Sequence, residues 1–364
     1  MVKVALVGCG QIADAHLEQI RRVKSAELVG VCDQQIDLAR QAAARFGVPR
    51  VFDDLGNMLE TIRPDVLHVT TPPHTHHAIA LRALGAGVHV YVEKPFAVNA
   101  AEADEMIDAA DAAGRLACVG HDQLLDPTWL ECRRLVLSGT IGRVVHVDSY
   151  QGYDLDGPFG RAFTNDPDHW LRRLPGGLFQ NVMSHALYRI TNLAVESPPR
   201  VSASWFGEKA IGLPTELRAT LLWPDMTAHL VFSSTARPIR RVAKIHGTRG
   251  GVEIDLEAQV IRRDWGAKAP GAFGKLEVPI RQLREAAGNS ATNIWRFLRA
   301  RIHYFEGMRR LFESFYAAIL ENGQPPISYA AIRRDTAIMD EIFNCCRKGE
   351  PADAHAMVFS SHTE

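Results

Sequence analysis

Along the first 120 positions the apolar residues follow two alternating rhythms. Short runs rich in β-branched residues, Val2 to Val7, Leu28 to Cys32, Asp65 to Thr71, Val88 to Val92 and Leu116 to Val119, read as strands. Between them, Ile12, Leu17, Ile20 and Val23 recur at helical spacing, as do residues of an alanine-rich stretch through Phe46. Further helices are expected over Ile79 to Leu84, stopped near Gly85 and Gly87, and over the alanines around 100 to 113. Strands that are apolar on both faces and alternate with helices require a mostly parallel sheet covered on two sides. An α/β domain over residues 1–120 follows.

From about Gly120 the rhythm changes. A helix over Pro127 to Leu137 leads through Gly139-Thr140-Ile141-Gly142 to a strand at Val144 to Asp148. The interval Gly152 to Gly177 has no periodicity and is rich in Gly, Pro, Asp and aromatics, which predicts a functional loop. Asn181 to Asn192 then reads as a helix entering from that loop. Val201 to Phe206, Thr215 to Trp223, Thr227 to Ser234 and Val242 to His246 read as strands, and Pro224-Asp225 would turn one back on the next. Thr215, Leu217, Ala219, Leu221 and Trp223 alternate with Glu216, Arg218 and Thr220, so one sheet face is apolar and needs cover. Helices around His185 and in the 303–321 region are the available cover. Residues 121–364 are thus expected to form an α+β domain, whose sheet could bury its outer surface against another copy of the chain.

Composition narrows the function classes. Hydrophobic residues make up 46% and charged residues 23% of 364, and the net charge is -1, which argues against a nucleic-acid footprint. Arg296, Arg299, Arg301, Arg309 and Arg310 alternate with Trp295, Phe297, Leu298, Phe305 and Leu311, as the charged faces of amphipathic helices do. No apolar run is long enough for a membrane span, and the short run at the amino terminus reads as a strand rather than a signal peptide. The cysteines at 9, 32, 118, 132, 345 and 346 lack zinc-type spacing and suit a reduced, cytoplasmic protein; adjacent Cys345 and Cys346 read as an ordinary helix end, with redox activity as the alternative.

The chemistry begins at Gly8-Cys9-Gly10-Gln11-Ile12-Ala13. A G-x-G-x-x-A string is weak by itself, but here it follows the first strand, opens a helix and precedes an acidic residue, Asp33, at the end of the second strand. Gly8 permits the tight turn, Gly10 the approach of a pyrophosphate, and Ala13 close helix packing. Asp33 would accept hydrogen bonds from the adenosine ribose and repel a 2′-phosphate, so NAD is favoured over NADP. Glu93-Lys94-Pro95 follows the strand ending at Val92, at the edge where open α/β sheets bind ligands. Lys94, directed by Pro95, would hydrogen-bond a substrate oxygen and stabilise an alkoxide; the alternative is a surface lysine. His185 has the chemistry to take a hydroxyl proton, or else is a structural hydrogen-bonder. His74, His76 and His77 follow Thr70-Thr71-Pro72-Pro73; their spacing does not converge on a metal, and they are expected to cap or line the nicotinamide pocket.

The strings VALVGCGQIADAH, VTTPPHTHHAIALRALGAGVHVYVEKPFA, SGTIGRVVHV and GGLFQNVMSHALYRI resemble the Gfo/Idh/MocA family over nearly the whole chain. The resemblance implies an amino-terminal Rossmann domain binding NAD or NADP, and a carboxyl-terminal domain with a large, mostly antiparallel sheet for substrate binding and oligomer contact. It implies oxidation or reduction of sugars, polyols or their derivatives, in dimers or tetramers. It makes Lys94 and His185 the catalytic pair and assigns Gly8, Gly10, Gln11, Ile12, Asp33, Thr70, Thr71, Pro72, His74, His77, Glu93 and Lys94 to the cofactor. Asn181 stands where the family commonly has an aspartate; an amide can orient a hydroxyl but adds no charge to raise the basicity of His185. Asn181, His169, Trp170, Arg172 and His121 are the expected substrate contacts, and Arg172 or Arg189 would receive a carboxylate on a sugar acid unless each is a surface or salt-bridge arginine. The leading expectation is hydride transfer between NAD and a secondary alcohol or carbonyl of a carbohydrate-like substrate. The alternatives are an enzyme that recycles tightly held NAD in epimerisation, elimination or glycoside cleavage, and a noncatalytic NAD-binding sensor.

Overall fold

The computed structural model describes residues 1–207, 212–299 and 305–348. Arg301, within the expected basic face, and residues 303–304 of the expected covering helix lie outside these.

The first rhythm folds as expected. It runs β1 (Val2–Val7), α1 (Ala13–Arg21), β2 (Ala26–Cys32), α2 (Ile36–Phe46), β3 (Val51–Phe52), α3 (Leu55–Ile62), β4 (Val66–Val69), α4 (His76–Gly85), β5 (His89–Val92), α5 (Ala100–Ala113) and β6 (Ala117–Val119). The six strands pair in parallel in the order β3-β2-β1-β4-β5-β6. That order reverses direction at β1 and β4, the crevice where such sheets take ligands. Neither β3, only two residues long, nor the eight-residue α3 is among the expected elements.

The second half continues through α6 (Pro127–Leu137), β7 (Val144–Gly152), α7 (Pro158–Thr164), α8 (Gly177–Val182), α9 (Ser184–Thr191), β8 (Arg200–Phe206), β9 (Glu216–Leu222), β10 (Thr227–Ser233), β11 (Arg241–Gly247), β12 (Gly251–Asp255), β13 (Val260–Asp264), α10 (Ala272–Leu298), α11 (Glu306–Leu320) and α12 (Tyr329–Lys348). Among the described residues its sheet has the order β13-β12-β11-β7-β10-β9-β8, antiparallel except where β10 runs parallel to β7. β9 and β10 form the hairpin turned by Pro224-Asp225. Leu217, Ala219, Leu221 and Trp223 are buried, as their alternation required.

Three expectations change. The interval after Gly152 is not structureless: Pro158 opens α7, and a 3₁₀ turn spans Trp170–Arg173. β12, β13 and the 27-residue α10 carry the chain beyond the last expected strand. The cover of the second sheet comes from α9 on β7 and β10 and from α12 on β8, whereas α11 packs on α1 of the first domain.

There α11 closes a buried polar column. Tyr316 donates to His68 Nε2 at 2.7 Å, His68 Nδ1 meets His16 Nδ1 at 3.0 Å, and His16 Nε2 meets Glu93 Oε1 at 2.8 Å. Glu93 is held ionised, and a chain in which each group donates toward it satisfies every contact. Tyr91 stacks on His68 with centroids 4.7 Å apart, and Phe312 meets the same ring edge-on. α12 also returns to the first domain, where Tyr329 accepts from the Ala117 N–H and Asp340 from the Ala100 N–H. A division at residue 120 therefore separates the sheets but not the packing.

Candidate active site

The glycine turn needs its first glycine for space and its second for access. Gly8 has φ +94°, and a Cβ there would stand 2.6 Å from the Thr71 amide nitrogen. A Cβ on Gly10 would meet nothing within 4 Å, so the turn leaves open room above it. α1 starts without a side-chain cap, which leaves its first-turn N–H groups for a phosphate. Thr70 Oγ1 donates to the Gly8 carbonyl at 2.7 Å and ties β4 to the turn. Asp33 accepts from the Cys9 N–H at 2.7 Å and the Gln35 N–H at 2.8 Å, which fixes its carboxylate at the end of β2. The open room over Gly10, the uncapped helix and the anchored carboxylate together fit a dinucleotide.

From this turn a cavity of about 410 Å³ runs past Gly10, Gln11, Ile12, Thr70, Thr71 and Pro72 to Glu93, Lys94, His169, Trp170 and Asn181. A second cavity, about 340 Å³, shares Ile12, Glu93, Lys94 and Asn181 and continues to Asp122, Gln123, Asp126, Gln151, His185, Arg241 and Glu257. Lys94 thus stands where the two meet. Its Nζ donates to the Asn181 carbonyl at 3.0 Å and to Asn181 Oδ1 at 3.3 Å, so α8 aims the ammonium. The Lys94–Pro95 peptide is cis. Beside it Glu93 accepts from His16 and from the Lys94 N–H. Burial alone would raise the Glu93 pKa, but the His16 bond and the Lys94 charge outweigh it and hold the carboxyl below its usual range.

His185 lies on the second cavity wall. Its Nδ1 is 2.6 Å from the Tyr188 hydroxyl, which reaches Asp122 Oδ1 at a longer 3.5 Å. Burial, followed by the charges of Lys94 and Arg241, drives the His185 pKa well below 6.5, so the ring is neutral. Burial and then the nearby Glu93 charge push Asp122 in the opposite sense, from 3.8 to about 7. A carboxylate absent from position 181 is therefore present at position 122, on the far side of a tyrosine.

Several expected contacts stand elsewhere. His121 is buried behind the wall, against Tyr188 and 3.8 Å from Asp335. Burial lowers its pKa to about 3. Arg172 folds back onto its own loop, over the Phe163 ring at 4.8 Å and toward the Asp166 carbonyl at 3.3 Å. Arg189, expected as a carboxylate receptor or a surface or salt-bridge residue, is wholly buried; it donates to Ser149, Gln123, the Tyr150 carbonyl and Gln151 and so holds two cavity-lining amides. His77 turns outward to Glu105 at 2.7 Å, and His74 is exposed. Neither lines the cleft. Only His76 of that group supports it, with ring nitrogens 2.8 Å from the Thr71 carbonyl and 3.0 Å from the Pro95 carbonyl.

A model described as "Oxidoreductase family, NAD-binding Rossmann fold" matches residues 2–121, and one described as "GFO/IDH/MocA C-terminal domain" matches residues 129–253. An uncharacterized oxidoreductase of Rhizobium meliloti, ORF334, is 26% identical over 70% of this chain and 74% of its own length. The D-glucoside 3-dehydrogenase of Escherichia coli K12 is 34% identical over 39% of this chain, a match spanning 41% of that enzyme. The fold is that of the WlbA dehydrogenase from Bordetella pertussis, solved with NADH and UDP-GlcNAcA, at TM-score 0.78 and 21% identity over 96% of both chains. Levoglucosan dehydrogenase, solved with NADH and levoglucosan, superposes at TM-score 0.77 and 19% identity over 96% of this chain and 98% of its own. With both halves matched and the glycine turn, Lys94 and His185 lining one cleft, the chain belongs to the Gfo/Idh/MocA family of oxidoreductases, and its first domain is the NAD-binding Rossmann domain.

Proposed function

We propose that the protein is an NAD-dependent dehydrogenase acting on a secondary alcohol of a neutral, polyhydroxylated carbohydrate. The observation that carries this reading is the position of Lys94, whose side chain borders both the nucleotide cavity and the cavity ending at His185. The second cavity is walled by Gln123, Gln151, Gln259, Asp122 and Asp126, groups that pair with hydroxyls. Arg241 on that wall already meets Glu257 at 2.9 Å, and Arg172 and Arg189 are engaged elsewhere, which favours a neutral substrate over a sugar acid. Similarity to a D-glucoside dehydrogenase and to structures holding levoglucosan and UDP-GlcNAcA supports a carbohydrate substrate, neutral or acidic.

Bound NAD supplies the acceptor for the hydride that leaves the carbinol carbon. Lys94 then donates a hydrogen bond to the oxygen on which negative charge develops. His185 takes the hydroxyl proton on Nε2. With Asp122 ionised, Tyr188 donates to it and His185 Nδ1–H donates to Tyr188, which leaves Nε2 as the acceptor required for oxidation. With Asp122 protonated the two bonds reverse, and Nε2–H becomes the acid required for carbonyl reduction. Glu93, Lys94 and Arg241 face Asp122 and set where that reversal falls. Asn181 orients Lys94 and the substrate.

The test is a panel of sugars, polyols, glycosides and sugar acids assayed for nicotinamide reduction. Turnover should depend on both Lys94 and His185 and favour neutral substrates. A panel without any redox change lost on substituting these two residues refutes the reading.

A further inference from the structure

Outside the cleft, the outward face of the second sheet gathers histidines in one place. Side chains alternate along β7, so Val147, Ser149 and Gln151 are buried toward the helices while His146 and Asp148 point outward. Register adds to that face from both neighbouring strands. His229 of β10 lies opposite Asp148, and His246 of β11 lies opposite His146. Asp148 Oδ1 is 3.1 Å from His146 Nε2 and 3.2 Å from His229 Nδ1, and Oδ2 is 3.7 Å from His246 Nε2. One donor atom from each of His146, Asp148 and His229 lies within 4.8 Å of the others.

We infer that His146, Asp148, His229 and His246 form a binding site for a divalent transition-metal ion of the zinc class. Three imidazole nitrogens and one carboxylate are a borderline-soft donor set that suits zinc and its neighbours, and a single carboxylate is a poor site for magnesium or calcium. Zinc bonds of about 2.0–2.1 Å in a tetrahedron separate ligand atoms by about 3.3 Å, close to the two shortest distances present. The remaining adjustment is rotation of partly exposed side chains, which costs no repacking. His146 is also held as metal-bound histidines are: its Nδ1 is 2.7 Å from Thr227 Oγ1, which turns Nε2 toward Asp148. Lys244, opposite Asp148 on β11, is exposed, so its ammonium can swing to solvent when an ion enters. The ligands come from three strands and span positions 146 to 246, so no short motif announces them and the cysteine and histidine spacings gave no reason to expect a metal.

The experiment is titration of the purified, chelator-stripped full chain with Zn²⁺ against a chromophoric competitor, with Mg²⁺ as the hard-cation control. One Zn²⁺ should bind per chain in a step that His146→Ala and His229→Ala each weaken at least ~100-fold, more than the about 10–100-fold cost of losing an outer partner. Thr227→Val, which keeps all four ligands, should weaken the same step ~10-fold. Mg²⁺ should not compete. Zn²⁺ affinity and stoichiometry unchanged by His146→Ala and His229→Ala, or no Zn²⁺ binding by the wild-type chain, overturns the site.

Discussion

Replacing Asp122 by asparagine should make the protein more stable and a worse oxidant, and the gain in stability should depend on pH. The folded chain raises the Asp122 pKa from 3.8 to about 7, through burial and then the Glu93 charge. The folded state therefore binds this proton more tightly than the unfolded chain does. Its contribution is fully present below pH ~4 and is lost as pH climbs through about 7. The pKa difference corresponds to at most ~4 kcal/mol, and relaxation around the ionised group reduces it to about 3 kcal/mol. Asparagine keeps an oxygen for the Tyr188 hydroxyl and has no charge to bury. At about 2.1 cal/mol/K per residue, an advantage of about 3 kcal/mol over 364 residues raises Tm by about 4 °C. Thermal and urea unfolding of Asp122→Asn and wild type, measured from about pH 3 to about pH 8.5, should show coincident stabilities at the acid end and a gap that opens between about pH 4 and 7. Over the same range, oxidation by wild type should rise with an inflection near pH 7, and the variant should lose the inflection and about 10–100-fold in rate. A variant less stable than wild type at pH 8, or a gap that ignores pH, would refute the assignment of a buried, titrating Asp122.

The two glycines of the turn should separate folding from binding: Gly8→Ala lowers Tm because its Cβ meets the Thr71 backbone, while Gly10→Ala leaves Tm within about 1 °C and abolishes NADH fluorescence enhancement. Lys94→Met should retain NAD affinity within a few fold in calorimetry yet lose about 10²–10³ in turnover, because the lost interaction forms with the developing oxyanion; equal losses in both would contradict that role. Arg189→Met leaves the oxygens of Ser149, Gln123 and Gln151 short of a donor, so we expect a loss of several kcal/mol in urea unfolding together with a raised KM. Asn181→Asp places a carboxylate beside Lys94 Nζ and should shift the pH profile of oxidation; an unchanged profile would show that position 181 only orients.

The first domain was legible because each of its longer elements has a period of its own: β1, the glycine turn, α1 and the acidic end of β2 follow one another within 33 residues. Local context leaves Lys94 and His185 open between chemistry and a structural role, and it is the family resemblance that pairs them; both line the cleft. What escaped was decided by register and by long-range packing. Asp122 and Tyr188 are 66 positions apart and meet only because the 3₁₀ turn at Asp122–Leu125 packs beside α9. His16 and His68 sit at positions that a parallel sheet and its helix would fill with apolar side chains, and only Tyr316 and Glu93, far along the chain, make them tolerable. The arginines misled for the opposite reason. A charge suggests solvent or a charged ligand, yet Arg189 is buried among neutral oxygens that no sequence pattern foretells.

The column from Tyr316 to Glu93 also bears on how the protein is made. During synthesis β1 to β6 emerge first, but His16, His68 and Tyr91 remain without their cover until α11 follows some two hundred residues later. Until then a buried carboxylate beside Lys94 has lost the end of its hydrogen-bond chain, and apolar ring faces stand open to other chains. A nascent chain stalled before α11 should therefore be a client for chaperones rather than a competent nucleotide binder. Domain-by-domain folding ends here with the nucleotide domain, the first to be translated, among the last to be finished.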